Sequence, residues 1–254
     1  MISRYEAVLN GTALSTIHPA ILVLDISYAQ PQIKTNTYTS ARRQGARVYR
    51  RYFGKSSVTV SFEIHEYDTQ KRMTICNAVQ AWAKSGGVLQ TSDRDGQQLR
   101  CICDAYPVIN SALRWTGTLS VTFSAYTLPF WAEREPVELT LTDTSGSGTL
   151  VVPGSVEEAP VEVEITAGGT LTTLGLTVNG RTLSLSGVSV SSGNKITISY
   201  DDEMIQSITT GTTSLLDKRT GVDDLLAVCG ESNAFSFESD VSCTVVYRVR
   251  GLWL

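Results

Sequence analysis

A chain of 254 residues with 42% hydrophobic and 18% charged side chains has the make-up of an ordinary folded protein, long enough for one large core or two ordinary ones. The net charge of −4 hides an asymmetry: residues 1–134 hold 15 Lys and Arg against 9 Asp and Glu, whereas residues 135–254 hold 6 against 16. No run of about 18 apolar residues offers a membrane-spanning helix, and the start MISRYEAVLNG lacks an apolar core, so neither membrane insertion nor a secretory signal is expected.

Ala20–Ile26 reads as a mostly buried strand. Residues Gln30–Arg47 are polar, Thr-rich and basic without core periodicity, which suits a long hairpin or an extended arm. Val58, Val60, Phe62 and Ile64 alternate with Thr59, Ser61, Glu63 and His65, the period of a strand with one apolar face. Asp68 is a helix N-cap, and Met73, Cys76, Val79 and Ala83, widened by Ile75 and Trp82, form the apolar stripe of an amphipathic helix that Gly86-Gly87 stops. A turn at Asp93–Gly96 precedes a strand at Leu99–Cys103, and Trp115, Leu119, Val121 and Phe123 mark another.

A seam falls at AEREPVELT, where Arg-rich sequence gives way to Thr, Ser and Gly between short apolar strands. Val161, Val163 and Ile165 alternate with Glu162, Glu164 and Thr166, Asn179-Gly180 marks a two-residue hairpin, and Ile196, Ile198 and Tyr200 form a further strand. Cys243, Val245, Tyr247 and Val249 form the last one, and Asp223–Val228 reads as a short helix before Gly230. Many short strands punctuated by turns predict a β-sandwich. The expected class is therefore mainly β: a β-rich α+β domain over 1–134 with one main helix and an arm at 28–55, then a sandwich over 135–254.

Reaction chemistry is hard to find. His18 precedes a proline and His65 lies on a polar strand face, with no G-x-S-x-G elbow in the chain. The carboxylate pairs Glu157-Glu158, Glu162/Glu164 and Asp201-Asp202 have solvated faces or turns as their simplest account. Cys76, Cys101, Cys103, Cys229 and Cys243 are odd in number and lack metal-ligand spacing, so they read as reduced thiols acting as small core residues. No cofactor and no metal are expected. The cluster Arg42, Arg43, Arg47, Arg50, Arg51 and Lys55, interleaved with Tyr49, Tyr52 and Phe53, has the ingredients for phosphate and base contacts. It is one short piece, and acidic surfaces of partner subunits suit it better than sequence-specific nucleic-acid recognition.

The segments YRRYFGKSSVTVSFEIHEYD, AWAKSGGVLQTSD and DAYPVINSALRWTGTLSVTFSAYTLPFW together resemble the distal tail proteins, the tail-tip hub subunits of phages with long non-contractile tails. The later SLLDKRTGVDDLLAVCGESNAFSF and the terminal RVRGLWL extend the likeness over nearly the whole chain. The resemblance implies a non-enzymatic virion protein made in the bacterial cytoplasm and placed at the tail tip. It implies a homohexameric ring of N-terminal domains, an outward galectin-like sandwich, contacts to the tail-tube protein and a tail-associated, fibre-bearing protein, and passage of the tape measure and DNA through the lumen. A ring that passes DNA tends toward an acidic lumen, so Arg42, Arg43, Arg47, Arg50, Arg51, Tyr52 and Phe53 are expected at subunit interfaces instead. The alternatives are a carbohydrate-binding module for host or cell-surface attachment, a hydrolase with an unrecognised carboxylate pair, and the ring protein of a phage-derived particle.

Overall fold

The structure is a computed structural model that describes residues 5–39, 46–108, 118–201, 204–222 and 224–254. The chain divides into two compact units, Met1–Trp131 and Ala132–Leu254.

In chain order the first unit contains β1 (Ala7–Leu9), β2 (Thr12–Ala13), the single turn α1 (Leu14–Ile17), β3 (Ile21–Ala29), β4 (Ile33–Thr39), β5 (Ala46–Phe53), β6 (Ser56–Ile64), α2 (Thr69–Ala83), β7 (Gly87–Thr91), β8 (Gln97–Ala105) and β9 (Leu119–Ala125). Antiparallel pairing gives the sheet order β2-β1-β7-β8-β9-β6-β3. Among the described residues β4 and β5 pair only with each other. Strand β6 follows its predicted period: Val58, Val60, Phe62 and Ile64 are buried and the residues between them are not. Each such side chain removed from water contributes about 1.5–3 kcal/mol.

Helix α2 begins as its sequence predicts, with the Asp68 carboxylate accepting from Gln70 N at 2.7 Å and Lys71 N at 3.2 Å. Its buried stripe is Arg72, Ile75, Cys76, Val79 and Ala83. Met73 departs from expectation and is 45% exposed. At 100° per residue Arg72 falls on the line through Cys76, Val79 and Ala83, and Met73 lies one step round from it. The alkyl stem of Arg72 takes the core position, and its Nη2 donates to Thr69 Oγ1 at 3.3 Å. Trp82 meets Phe123 edge-on at 5.7 Å, tying the helix to the sheet, and its Nε1 donates to Thr12 O at 3.0 Å.

The helix stops at Gly86 and Gly87, whose φ values of +59° and +127° exclude ordinary side chains. A Cβ on Gly87 would also collide with Asn10. Asn10 clips the β1 turn to this stop: its side chain accepts from Val88 N at 2.9 Å and donates to Gly86 O at 2.8 Å.

Strand β10 (Trp131–Glu133) lies at the division between the units. The second unit then comprises β11 (Val137–Val151), β12 (Glu158–Ala167), β13 (Leu171–Val178), β14 (Arg181–Val190), β15 (Lys195–Tyr200), β16 (Gln206–Thr210), β17 (Thr213–Ser214), a 3-10 turn at Leu216–Lys218, β18 (Arg219–Gly221), β19 (Leu226–Val228), β20 (Ser232–Val249) and β21 (Leu252–Trp253). The strand order is β17-β16-β15-β12-β20-β13-β14-β18, with β11 along the other side of β20. Within the 18-residue β20, Phe235–Ser239 pair with β13 and Cys243–Val249 with β12. Phe235 and Tyr247 lie in one strand, yet their rings are 5.0 Å apart, and the Tyr247 hydroxyl donates to Ser236 O at 2.8 Å. The strand therefore folds back on itself, and its two halves face each other across one core. Strand β11 bends with it: Asp143 has φ +110° and the register shifts between Asp143 and Ser145. A Cβ on Gly146 would come within 2.9 Å of the Phe237 ring.

The Asn179-Gly180 hairpin forms as expected, both residues having positive φ between Val178 and Arg181. The predicted helix at Asp223–Val228 does not. Asp223 lies outside the described residues, and Leu226–Val228 is strand β19, paired with Glu158–Pro160. The reason is local. Asn233, 0% exposed, holds the extended backbone by accepting from Val228 N at 2.6 Å and donating to Val228 O and Glu231 O, both at 3.0 Å. Asn179 Nδ2 donates to the Asn233 side-chain oxygen, Oδ1, at 2.7 Å. Substituting Asn233→Ala strands several of these groups out of water, so the second unit should lose about 2–3 kcal/mol in urea unfolding, whereas Thr149→Ala on an exposed strand position should change stability by less than about 0.5 kcal/mol.

Candidate assembly surfaces

The pleat of β6 has a second consequence. Its outward residues Ser57, Thr59 and Ser61 stand opposite Ser124, Thr122 and Ser120 of β9 on one side and Ala29, Ser27 and Asp25 of β3 on the other. Apart from Ala29 and Asp25, this face of the sheet is thus set with small hydroxyls, of which Ser124 is buried, and one cross-strand row is joined by Thr59 and Thr122 Oγ1 atoms at 3.0 Å. The opposite face carries Val23, Ile26, Val58, Val60, Phe62, Val121 and Phe123, all buried.

At the rim of the hydroxyl face, Asp104 accepts from Lys55 Nζ at 2.5 Å, Ser124 Oγ at 2.6 Å and the Tyr126 hydroxyl at 2.9 Å. The Lys55 ammonium, more than these hydroxyls, holds the Asp104 carboxyl below the usual carboxylate range. Ile102 and Tyr126 are 54% and 53% exposed beside it. Farther along, the Arg94 guanidinium lies 5.0 Å from both the Tyr28 and Trp131 ring centres, and the Tyr28 hydroxyl bonds Thr91 Oγ1 at 2.9 Å and Asp93. Burial, reinforced by Asp93, raises the Tyr28 hydroxyl above its ordinary range, so it stays protonated and pins β3 to the 92–96 turn.

The arm predicted at 28–55 contains the β4–β5 hairpin. Its register sets Arg47 opposite Tyr38, Arg50 opposite Asn36, Arg51 opposite Thr35, Tyr52 opposite Lys34 and Phe53 opposite Ile33, with a shift that leaves Tyr49 unpaired. Arg42 and Arg43 lie outside the described residues. At the hairpin base Phe53 meets Phe130 edge-on at 5.0 Å, and Gly54 N donates to Gln32 O at 2.8 Å. Tyr52 is 41% exposed. The structure thus brings Arg47, Arg50, Arg51, Tyr52 and Phe53 onto one strand, outside the sheet that bears the hydroxyls.

In the second unit Glu162 and Glu164 lie on the outer face of β12, as their alternation predicts. Glu164 accepts from Lys195 at 2.7 Å and lies 3.6 Å from Arg248, which donates to Glu138 at 2.6 Å. A row of alternating charge therefore crosses β11, β20, β12 and β15, and Lys195 first, Arg248 second, lowers the Glu164 pKa. Glu158 pairs with Arg181 at 3.4 Å, and Asp201 accepts from Ile205 N at 2.8 Å, while Asp202 lies outside the described residues. His65 rests 3.1 Å from Glu63, and His18 Nδ1 accepts from Ala20 N. Among the described residues no three His, Cys, Asp or Glu side chains gather to hold a metal, and no helix is long and apolar enough to cross a membrane. The five cysteines are free thiols, Cys103 partly covered and the others buried. Burial pushes the Cys101 thiol up to about 12.

The hydroxyl face escaped sequence reasoning because Ser and Thr at every second position look the same whether they face bulk solvent or a built surface. The missed signal was its repetition on the adjacent strands β6 and β9. Replacing Lys55→Met should raise the Asp104 titration midpoint, followed by carboxyl-carbon NMR. In the wild type, the stabilisation from this lowered carboxyl is present above its unfolded pKa and is lost as pH falls through the folded one.

No protein-family model matches the chain, and neither does any curated protein sequence. Solved structures do. A chain of the phage p2 baseplate in its activated conformation with strontium aligns over 98% of both chains at 11% identity, with a TM-score of 0.46. The Dit protein of phage SPP1, a paradigm of the hub adsorption apparatus in phages that infect Gram-positive bacteria, aligns over 97% of this chain and 98% of that one at 10% identity, with a TM-score of 0.71. The sequence resemblance and this likeness meet in the same place: over nearly all of its length, this chain has the fold of the SPP1 Dit hub protein.

Proposed function

We propose that this chain is a distal tail protein, a non-enzymatic structural subunit of a phage tail tip. The observation that carries the reading is the likeness of fold to the SPP1 hub protein across 97% of the chain. In this reading six copies close a ring through their first units, continuing the tail tube on one side and meeting a tail-associated, fibre-bearing protein on the other. A closed ring is built from heterologous contacts, so each copy needs two complementary faces. The second unit is galectin-like and faces outward.

The two surfaces of the first unit support a division of labour. The hydroxyl face of β3, β6 and β9 carries Asp25 and no cation among the paired positions, which suits a passage wall for the tape measure and DNA: a polyanion finds hydration there but no arginine to hold it. The arginines sit on the arm, which suits contacts with an acidic neighbour. Protein docking suits the second unit better than sugar binding. Phe235, Phe237 and Tyr247 are buried in its core, and among the described residues no aromatic side chain of that unit stands exposed as a saccharide platform.

Native mass spectrometry of the purified protein tests the assembly. With 27.6 kDa per chain, a hexamer of about 166 kDa or a paired ring of twice that mass is expected, and a strict monomer at high concentration and low salt overturns the reading. Arg50→Glu with Arg51→Glu should abolish the ring while preserving the fold. Rings that persist would remove these arginines from the interface.

A further inference from the structure

The sequence contains two Asn-Gly dipeptides, Asn10-Gly11 and Asn179-Gly180, and the fold treats them alike. Each forms a two-residue hairpin turn with both residues at positive φ, 51° and 80° in the first and 49° and 78° in the second. Each asparagine then docks on a third strand in the same way. Asn10 N donates to Val88 O at 2.9 Å, and Val88 N donates to Asn10 Oδ1 at 2.9 Å. Asn179 N donates to Ala234 O at 2.9 Å, and Ala234 N donates to Asn179 Oδ1 at 3.0 Å. The side-chain nitrogen completes the clip, donating to Gly86 O at 2.8 Å in the first unit and to Asn233 Oδ1 at 2.7 Å in the second.

Asn-Gly is also the dipeptide most open to one uncatalysed reaction. Glycine has no side chain to hinder its backbone nitrogen, which can attack the preceding Cγ. The new N–Cγ bond closes a succinimide ring, the Cγ–Nδ2 bond breaks, and the proton from the glycine nitrogen leaves with ammonia. Water then opens the ring at either carbonyl, giving aspartate or, with an extra methylene in the main chain, isoaspartate. Both turns are accessible to that water: the asparagines and glycines are exposed, and a Cβ on Gly11 or Gly180 would meet nothing within 4 Å. The ring cannot close while both ends of the carboxamide are bound, because Cγ must turn toward the glycine nitrogen.

We propose that Asn10 and Asn179 are sites of spontaneous deamidation held latent by these clips, the reaction at each proceeding only when its clip opens. The product cannot re-form the clip. An oxygen replaces Nδ2 and faces Gly86 O or Asn233 Oδ1, acceptor against acceptor with no proton between them. At Asn179 the damage spreads inward, because Asn233 is 0% exposed and its Oδ1 also accepts from Val228 N at 2.6 Å. Nothing in the reaction depends on how the chain assembles.

Peptide mapping by mass spectrometry, after incubation in mildly alkaline buffer, tests the assignment. In the folded wild type both sites should react at least about tenfold more slowly than in guanidinium chloride, where the clips are absent. Asn233→Ala removes the acceptor of Asn179 Nδ2 and should speed deamidation at Asn179 by about five- to tenfold, the effect of one lost hydrogen bond on an opening equilibrium, while Asn10 keeps its wild-type rate. Because Asn233→Ala also destabilises the second unit, Ile165→Ala serves as its control, a truncation at a buried position paired with Ile196 and Val245. Equal rates in the folded and unfolded chain, or an Asn233→Ala effect at Asn179 no larger than that of Ile165→Ala, overturns the assignment.

Discussion

The strand pleat is the constraint on which the first unit depends. Because successive residues of β6 point to opposite faces, one nine-residue sequence specifies two surfaces at once. Val58, Val60, Phe62 and Ile64 supply the core that α2 covers. Ser57, Thr59 and Ser61 supply a wall that three strands share. A slip of one residue in the pairing of β6 would bury hydroxyls and expose Phe62, so the core that stabilises the unit also enforces the wall's composition. The exposed surface inherits its accuracy from the buried one.

The second unit solves a different problem with the same material. Strands β20 and β11 run through both halves of the sandwich and turn the corner together, so the halves are joined by covalent chain as well as by packing. The fold-back places Phe235 against Tyr247, and the glycines of β11 give the corner room. Asn233 then fixes the neighbouring loop with hydrogen bonds in place of a hydrophobic contact. A buried amide surrounded by satisfied partners specifies one backbone path, which a leucine of similar size would not.

Much of this was legible in the residues. Asp68, Gly86-Gly87 and Asn179-Gly180 act locally, through caps and positive φ, and each forms where the sequence places it. The alternation in β6, β9, β12 and β20 is also plain, because burial on one face leaves a period-two record. Legibility failed where distant partners decide. Residues 226–228 suit a helical turn until Asn233 and β12 claim their backbone. Arg72 looks like a surface residue until its stem proves long enough to fill a core position, displacing Met73. The arm shows its charge in sequence but not its strand register, since no buried face imposes a period on it. The short strands β1, β2 and β7 carry too few residues to show any period at all.

The sulfur inventory bears on crowding. Subunits packed into an assembly hold their surfaces at very high local concentration, where a reactive thiol on each copy would join neighbours covalently and at random. Here the five cysteines are free, and four of them are buried. Burial pushes the Cys101 thiol up to about 12, far from its nucleophilic thiolate form. Thiols so enclosed offer little thiolate for disulfide exchange between copies of the chain, which leaves Cys103 as the one sulfur with a partly open path to solvent.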